Sequence, residues 1–557
     1  MSEHLKSSCL LLGGFFIVLY FFILMVGSIG FFVGLPITWY HLPVAILFTA
    51  AWLWLTLRRH SQQQSTSRFW IILGAGAGIA LIGLKLSGAI TDTSWDGQTY
   101  HAEAILYLTQ GWNPVHQPTP IDALFQNYLA IFAKGPWIAA AAVIKLSGEF
   151  EHGKVFSLIL PLATLLIAVP AIASFREIKS AWVLSLSLLF AANPVSVYQM
   201  FTFYVDGQLS SLMVIAICLM LLVYRDQSRP AMLLLAVSIV LLVNVKLNGA
   251  IYILILAGGF LLWTFWQRHD YGIALTGWFV AGCMLGGLVI GFNPYITQFI
   301  TMLFTYGNPF HPDSWQAITL IEINSPPEFL EMGRVQKLVV SLFSRSEVSI
   351  YPATYKIPFS FSWHEWKVFL WPDVRVGGFG PLFGGAILLT AALVAASIRD
   401  GRHKAYQSGF FFMLQGLLLV SILINPESWW ARYAPQLAVL PLLIVLWVIS
   451  SGPSDSRRAP GLALALALTM AVNNVALLVV HNSLAHAAGS TLDKQLAQIQ
   501  QQSSQQKPIA VNFDYFVGTR YRFDSSGVHY EEHPGQLPCD VSQQTRLVYS
   551  EATICRP

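Results

Sequence analysis

Charge is what this chain has least of. Asp, Glu, Lys and Arg make up 11% of its 557 residues, against about 25% in a soluble domain. Hydrophobic residues make up 55%, more apolar surface than a water-soluble core can hide. An ordinary soluble protein is therefore excluded, and lipid is the natural solvent. The net charge is only +4, which says little about nucleic acid, and no nucleic-acid partner is expected. Also lacking are a Walker motif, a GxGxxG after a strand and a Cys/His cluster with metal spacing. No sequence repeat with a period of roughly 20–50 residues is detectable.

Cysteine is sparse, with five in all. Cys9, Cys218 and Cys283 lie in or beside apolar runs and read as packing residues. Cys539 and Cys555 sit in the polar tail, where a pair fits one disulfide in an oxidising compartment.

Long apolar runs are abundant, and many reach the roughly 17–25 residues that cross a bilayer. The first, Cys9 to Phe32, is long and is followed by others, so it reads as an anchor rather than a cleaved signal peptide. Leu42 to Leu57 and Phe69 to Ile90 follow. Further runs begin near Val155, Ala181, Leu209, Ala231, Ile251, Gly272, Pro381, Gly409, Leu437 and Gly461. These runs predict an all-α polytopic membrane protein of about 13 transmembrane helices. Pro136 to Ser147 is apolar but short, and a full crossing there would break the charge pattern downstream. It reads as a re-entrant or interfacial segment in the outer leaflet.

Basic clusters follow alternate spans: Arg58/Arg59/Arg68, Arg176/Lys179, Arg225/Arg229, Arg268, Arg399/Arg402/Lys404 and Arg457/Arg458. The positive-inside rule places them in the cytoplasm, with the N-terminus inside and the C-terminus outside. The large outer loops are then 91–154 and 293–380, and loops that long are uncommon unless functional. A transmembrane domain over 1–482 precedes a small region over 483–557. In that region a Gln-rich helix (DKQLAQIQQQ) leads into a β-rich module, so it is α+β in character.

The unusual chemistry lies on the outer side. In "SWDGQTYHAEAILYLTQGWNP" Asp96 stands among Trp95, Tyr100, Tyr107 and Trp112, rings that prefer the membrane interface. The spacing of Ala102, Ile105, Leu106 and Thr109 predicts a short amphipathic helix lying on the membrane. "FYVDGQLSS" places Asp206 at the outer start of a span, where it equally suits a helix N-cap. Lys134, Lys246 and Arg432 stand on a side that should be poor in positive charge. Each can simply snorkel, but together they suit an anionic group such as a lipid phosphate. His101, five residues after Asp96, is the one outer histidine retained as a catalytic candidate; His116, His311 and His364 read as structural.

A carboxylate at the interface can take a proton from an acceptor hydroxyl, and cations can meet the charge developing on a leaving phosphate. With no nucleotide motif, the donor would be a sugar on a lipid phosphate. A single displacement at its anomeric carbon would invert the configuration.

The stretches "DGQTYHAEAILYLTQGWNP", "FAKGPW", "FYVDGQLSS", "NPYITQFITMLFTYGNPFHP" and "PESWWARYAPQLAVLPLL" resemble the GT-C superfamily of polyprenyl-phosphate-sugar-dependent glycosyltransferases. The likeness is to its bacterial aminoarabinose-transferase and protein-O-mannosyltransferase-like group. It covers residues from about 69 to 450 as architecture, through short motifs. The resemblance implies an inner-membrane enzyme whose cavity faces the periplasm. Asp96 would be the base or position the acceptor, with Tyr100 beside it, and Asp206 would support the same cavity. Lys134, Lys246 and Arg432, with Tyr433, would meet the lipid-linked donor. The acceptor would be a lipid, a glycan or a protein. Gly97 and Ala133 stand where many relatives carry acids, and two extra spans precede the first long loop, which leaves the subfamily open. Some members use a divalent metal; Asp92 and Asp96 offer two carboxylates but no clear ligand set, so no obligatory cofactor is expected and a divalent metal stays open.

Two other readings remain. An O-antigen polymerase or ligase would lean on loop residues such as Arg334, Arg345, His364 and Arg375. A lipid or glycan transporter or flippase would put its polar residues near mid-membrane, where Asn244 and Asn473/Asn474 are the only mild candidates.

Overall fold

The computed structural model describes residues 1–58, 62–175, 178–291, 304, 322–348, 351–402, 407–451 and 458–556. It is mostly helical, at 71%. Every apolar run read as a span forms a helix, the expected outcome where no water is present to satisfy an open backbone. Among the described residues seven helices are long and apolar enough to cross a membrane: Glu3–Phe32, Ser65–Gly88, Phe150–Ala173, Asp206–Asp226, Leu247–Trp266, Gly272–Val289 and Arg458–Gln502. Shorter apolar helices include His41–Leu57, Ser180–Ala191, Arg229–Val245, Phe383–Arg399, Ser408–Leu423 and Pro435–Ser450. These features fit a polytopic membrane protein.

The Asp206–Asp226 helix is the hub, with 94% of its apolar window buried. It packs against Val155–Ala173 and Arg229–Val245, and every residue from Asp206 to Tyr224 is buried. Ser65–Gly88, by contrast, is only 17% buried and turns an apolar surface outward. Small residues allow the close crossings: a Cβ on Gly27 of the first helix would lie 2.6 Å from Ile138.

Polar groups sort to two ends. At one, Arg68 donates to Ser7 at 3.0 Å, Arg225 lies over Phe175 and Arg402 donates to the Val448 carbonyl. All come from loops read as cytoplasmic. The loops read as external meet at the opposite ends of their helices. Arg59, Arg176, Lys404 and Arg457 lie outside the described residues, as does His311 with nearly all of "NPYITQFITMLFTYGNPFHP".

One expectation changes. The predicted surface helix exists as Ala102–Gln110, but it is tucked into the protein rather than laid on a membrane. Ala102 to Leu106 and Leu108 are buried, and the helix contacts Gly135–Ser147 and Val517–Ser525. The periodicity was real, but the covering surface is protein, and even Glu103 is buried, accepting from the backbone amides of Leu124 and Phe125. The short segment expected in the outer leaflet is the helix Gly135–Ser147, buried from Gly135 through Ile144.

The helix Arg458–Gln502 runs 45 residues without a break, so the Gln-rich helix expected after Ser490 is its final turns. A four-stranded sheet follows: β1 (Ile509–Asn512), β2 (Tyr530–Glu532), β3 (Gln544–Arg546) and β4 (Thr553–Cys555), in the order β2-β1-β4-β3. Only β1 and β2 are parallel, joined through the helix Val517–Ser525. Cys539 and Cys555 are disulfide-bonded, with 5.9 Å between their Cα atoms. Cys218 is buried and Cys9 and Cys283 are half-buried free thiols.

Candidate active site

Asp96 leads into a π-turn, Gly97–His101, in which Thr99 departs from helical geometry (φ −100°, ψ −111°). Irregular π-turns of this kind occur frequently at functional sites. Gly97 is required there, because a Cβ would lie 2.0 Å from an oxygen of Asp92. The turn brings Tyr100 back so that its hydroxyl donates to Asp96 Oδ2 at 2.8 Å. The same oxygen accepts from Arg432 Nη1 at 3.0 Å. Arg432 sits in a one-turn 3-10 helix, Ala431–Tyr433. On its other side Arg432 Nε stands 3.4 Å from Asp373 Oδ1, and Asp373 also accepts from Trp430 Nε1 at 2.8 Å. The rings of Tyr204, Trp430 and Tyr433 surround the guanidinium at 4.7–5.6 Å.

A second ion pair adjoins the first. Lys246 Nζ lies 2.5 Å from Asp206 Oδ1. Lys246 has extended backbone (φ −162°, ψ 149°), which breaks the chain between the helices Arg229–Val245 and Leu247–Trp266. Asp206 is the first residue of its helix and does not cap it; its carboxylate turns to Lys246 and, at 3.5 Å, to Gln199 Nε2. The ring of Tyr433 joins the two pairs, with the Lys246 ammonium 4.7 Å from its centroid. Three of the charged groups stay reachable, with side-chain exposure of 25% for Lys246, 15% for Arg432 and 13% for Asp96, whereas Asp206 is buried at 3%.

His101 is buried at the edge of this cluster, and its Nδ1 accepts from Trp137 Nε1 at 2.8 Å. Burial pushes the imidazole down to about 4, although Asp96 and Asp206 pull the other way. Near neutral pH it is therefore uncharged, with its proton on Nε2. Lys134 is fully buried below the first loop. It donates to the carbonyls of Ala130 and Phe132 and lies over Trp137, and burial pushes its ammonium down to about 7.

The structure thus brings Asp96, Tyr100, His101, Asp206, Lys246, Arg432 and Tyr433 into one cluster. Lys246 and Arg432 each face a carboxylate, and Lys134 faces carbonyls. Asp373, Trp430, Tyr204 and Gln199 were not assigned roles from sequence. Tyr204 and Trp430 lie inside the quoted motifs; Asp373, in "WPDV", carries no signal beyond an acid between aromatic residues. Asp92 does not converge with Asp96: its oxygens accept from the Ser94 and Phe203 amides, both at 2.8 Å. Among the described residues no group of three or more His, Cys, Asp or Glu is placed to hold a metal ion. The loop residues of the polymerase reading are dispersed. Arg334 donates to the Leu423 carbonyl, His364 pairs with Glu347, and only Arg375 reaches the cluster, over Trp430.

No protein-family model matches the chain, and no curated protein matches it.

Proposed function

We propose that the protein is an inverting glycosyltransferase of the GT-C type, embedded in a bacterial inner membrane with its active site at the periplasmic face. It moves a sugar from a polyprenyl-phosphate donor to a lipid, glycan or protein acceptor. The observation that carries this reading is the convergence of Asp96, Asp206, Lys246 and Arg432. They come from four separate segments, all on the side that the charge pattern assigns to the exterior. A transporter's polar residues would lie at mid-membrane depth instead.

In this reading the acceptor oxygen forms a bond to the anomeric carbon while the bond from that carbon to the phosphate oxygen breaks. Asp96 receives the acceptor's proton, and Tyr100 and Arg432 orient its carboxylate. The lipid phosphate leaves with its charge met by Lys246, which exchanges Asp206 for the phosphate, while Arg432 stays on Asp96 and adds its positive field. Asp206 holds Lys246 until the donor arrives. His101, neutral, acts through position rather than through charge. Lys134, buried and donating to the Ala130 and Phe132 carbonyls, supports the first loop instead of meeting the donor phosphate.

The test is transfer from radiolabelled polyprenyl-phosphate sugar in reconstituted protein, with native membrane extract as acceptor. Asp96→Asn in a folded protein should abolish transfer. Undiminished transfer would remove Asp96 from the mechanism, and no transfer by the unaltered protein would defeat the enzyme reading.

A further inference from the structure

Where the C-terminal module meets the first outer loop, a groove of about 410 Å³ opens, within the size range of small-ligand sites. Its walls include Trp95, Trp371 and Tyr549, with Arg546 and Glu551 at the rim. These three rings are 41%, 42% and 40% exposed. Exposed rings scattered singly need no explanation. Three on one concavity, from three distant segments, give it an aromatic lining.

Tyr549 adds an independent observation. Its backbone is left-handed (φ 52°), a conformation a bulky L-residue rarely adopts and one that clusters at ligand clamps. The turn is held there from outside the module, because Gln98 Nε2 donates to the Tyr549 carbonyl at 2.8 Å. At the rim Arg546 Nη2 lies 2.8 Å from Glu551, with 63% and 43% of their side chains exposed. Arg546 is steadied by donating through Nε to the Ser550 carbonyl.

A sugar ring has an apolar C–H face and a hydroxylated edge, so it needs a flat aromatic surface with donors and acceptors beside it. This groove has both. A lipid chain would leave the Arg546–Glu551 pair unused. The groove adjoins the loop that carries the cluster's first acid. Trp95 precedes Asp96, and a small inner cavity of about 20 Å³ shares Thr93, Trp371 and Tyr549 with it and reaches Pro372. The Pro372 carbonyl accepts from Gln199, the partner of Asp206.

We propose that this groove binds the saccharide portion of the acceptor beside the loop that carries Asp96; the word acceptor rests on the transferase reading, whereas saccharide binding does not. The first experiment is saturation-transfer NMR on the full chain in detergent. The probe is the oligosaccharide mixture released by mild acid from the envelope of the source cells. Sugar protons should saturate in the unaltered protein. The signal should fall at least fivefold in a folded Trp371→Ala, Tyr549→Ala chain and persist in Trp371→Phe, Tyr549→Phe. No saturation in the unaltered protein, or an unchanged signal in the alanine chain, overturns the proposal, as does saturation of envelope peptides in place of sugars. In the transfer assay the alanine chain should raise the acceptor KM at least tenfold with kcat held; an equal loss in kcat would mean a structural role and overturn it. Ring-dependent sugar binding without any transfer would leave the groove a saccharide site and defeat only the transferase reading.

Discussion

The carboxylate of Asp96 and the guanidinium of Arg432 lie 3.0 Å apart, although 336 positions separate them in the chain. Arg432 is also held by Asp373, so one cation sits between two acids from different loops.

Arg432→Ala should strand both acids and lower stability by roughly 3 kcal/mol. Arg432→Lys keeps the charge but not the planar, two-sided reach, and should slow sugar transfer at least tenfold. Adding Asp373→Asn to Arg432→Ala should recover part of the stability and none of the transfer. Thermal unfolding beside the transfer assay checks this, and a double variant no more stable than Arg432→Ala would show that Asp373 does not depend on Arg432.

Lys134 makes stability depend on pH in a definite direction. Burial holds it at about 7 when folded, below the value of about 10.4 expected in an unfolded chain. The unfolded chain therefore binds more protons between those values, and stability rises with pH across that window. Below pH 7 both states are protonated and the penalty is complete. Lys134→Met should flatten the profile from pH 7 to 10 and raise the unfolding temperature at pH 6. An unchanged slope in unfolding between pH 7 and 10 would count against a buried, unpaired ammonium.

His101 acts in a lower window. Its folded value of about 4 lies below the unfolded value of about 6.5, so the protein should lose stability as pH falls from 6.5 toward 4. His101→Gln should remove that loss. Trp137→Phe, which deletes the hydrogen bond to Nδ1, should cost about 1 kcal/mol. The pH profile of transfer should carry no limb from His101 between pH 5 and 8; a limb there that disappears in His101→Gln would make it a titrating catalyst.

Arg522 fastens the C-terminal module to the loop that carries Asp96. It donates to Glu151, to Gln98 Oε1 at 2.7 Å and to the Asp92 carbonyl at 2.8 Å. Arg522→Met should leave Glu151 with Lys154 as its only cation and loosen the module. Faster proteolysis near the exposed residues 504–508 and faster amide exchange at 97–101 are the expected signs. Exchange confined to the module would show that the Asp96 loop holds itself.

Much of the architecture was legible because lipid permits few solutions. A run of apolar residues long enough to cross is forced into a helix. The site was legible through charges out of place: Lys246 and Arg432 stood on a side that should lack them, and both sit in the cluster. Asp373 could not be read, because an acid in a long polar loop is unremarkable until folding aims it at Arg432. The Ala102–Gln110 helix was read with the right period and the wrong cover, because periodicity reports a buried face without saying whether lipid or protein buries it. The left-handed Tyr549 had no clear signal, since it sits in a tight turn closed by Leu547, Ser550 and Ala552 and braced by Gln98, 451 positions earlier.

That last separation bears on how the molecule comes into being. A ribosome delivers the segment around Gln98 long before Tyr549, Thr519 and Arg522, which its side chain contacts. Contacts between such remote positions close slowly. Asp96 therefore waits through most of translation without its Arg432 partner, and the loop that carries it is locked only after the last span has been inserted and the final sheet has formed. A chain halted anywhere before the module would have its helices and its acids but not the finished clasp, so activity should appear only once the module has been made and not in any earlier fragment.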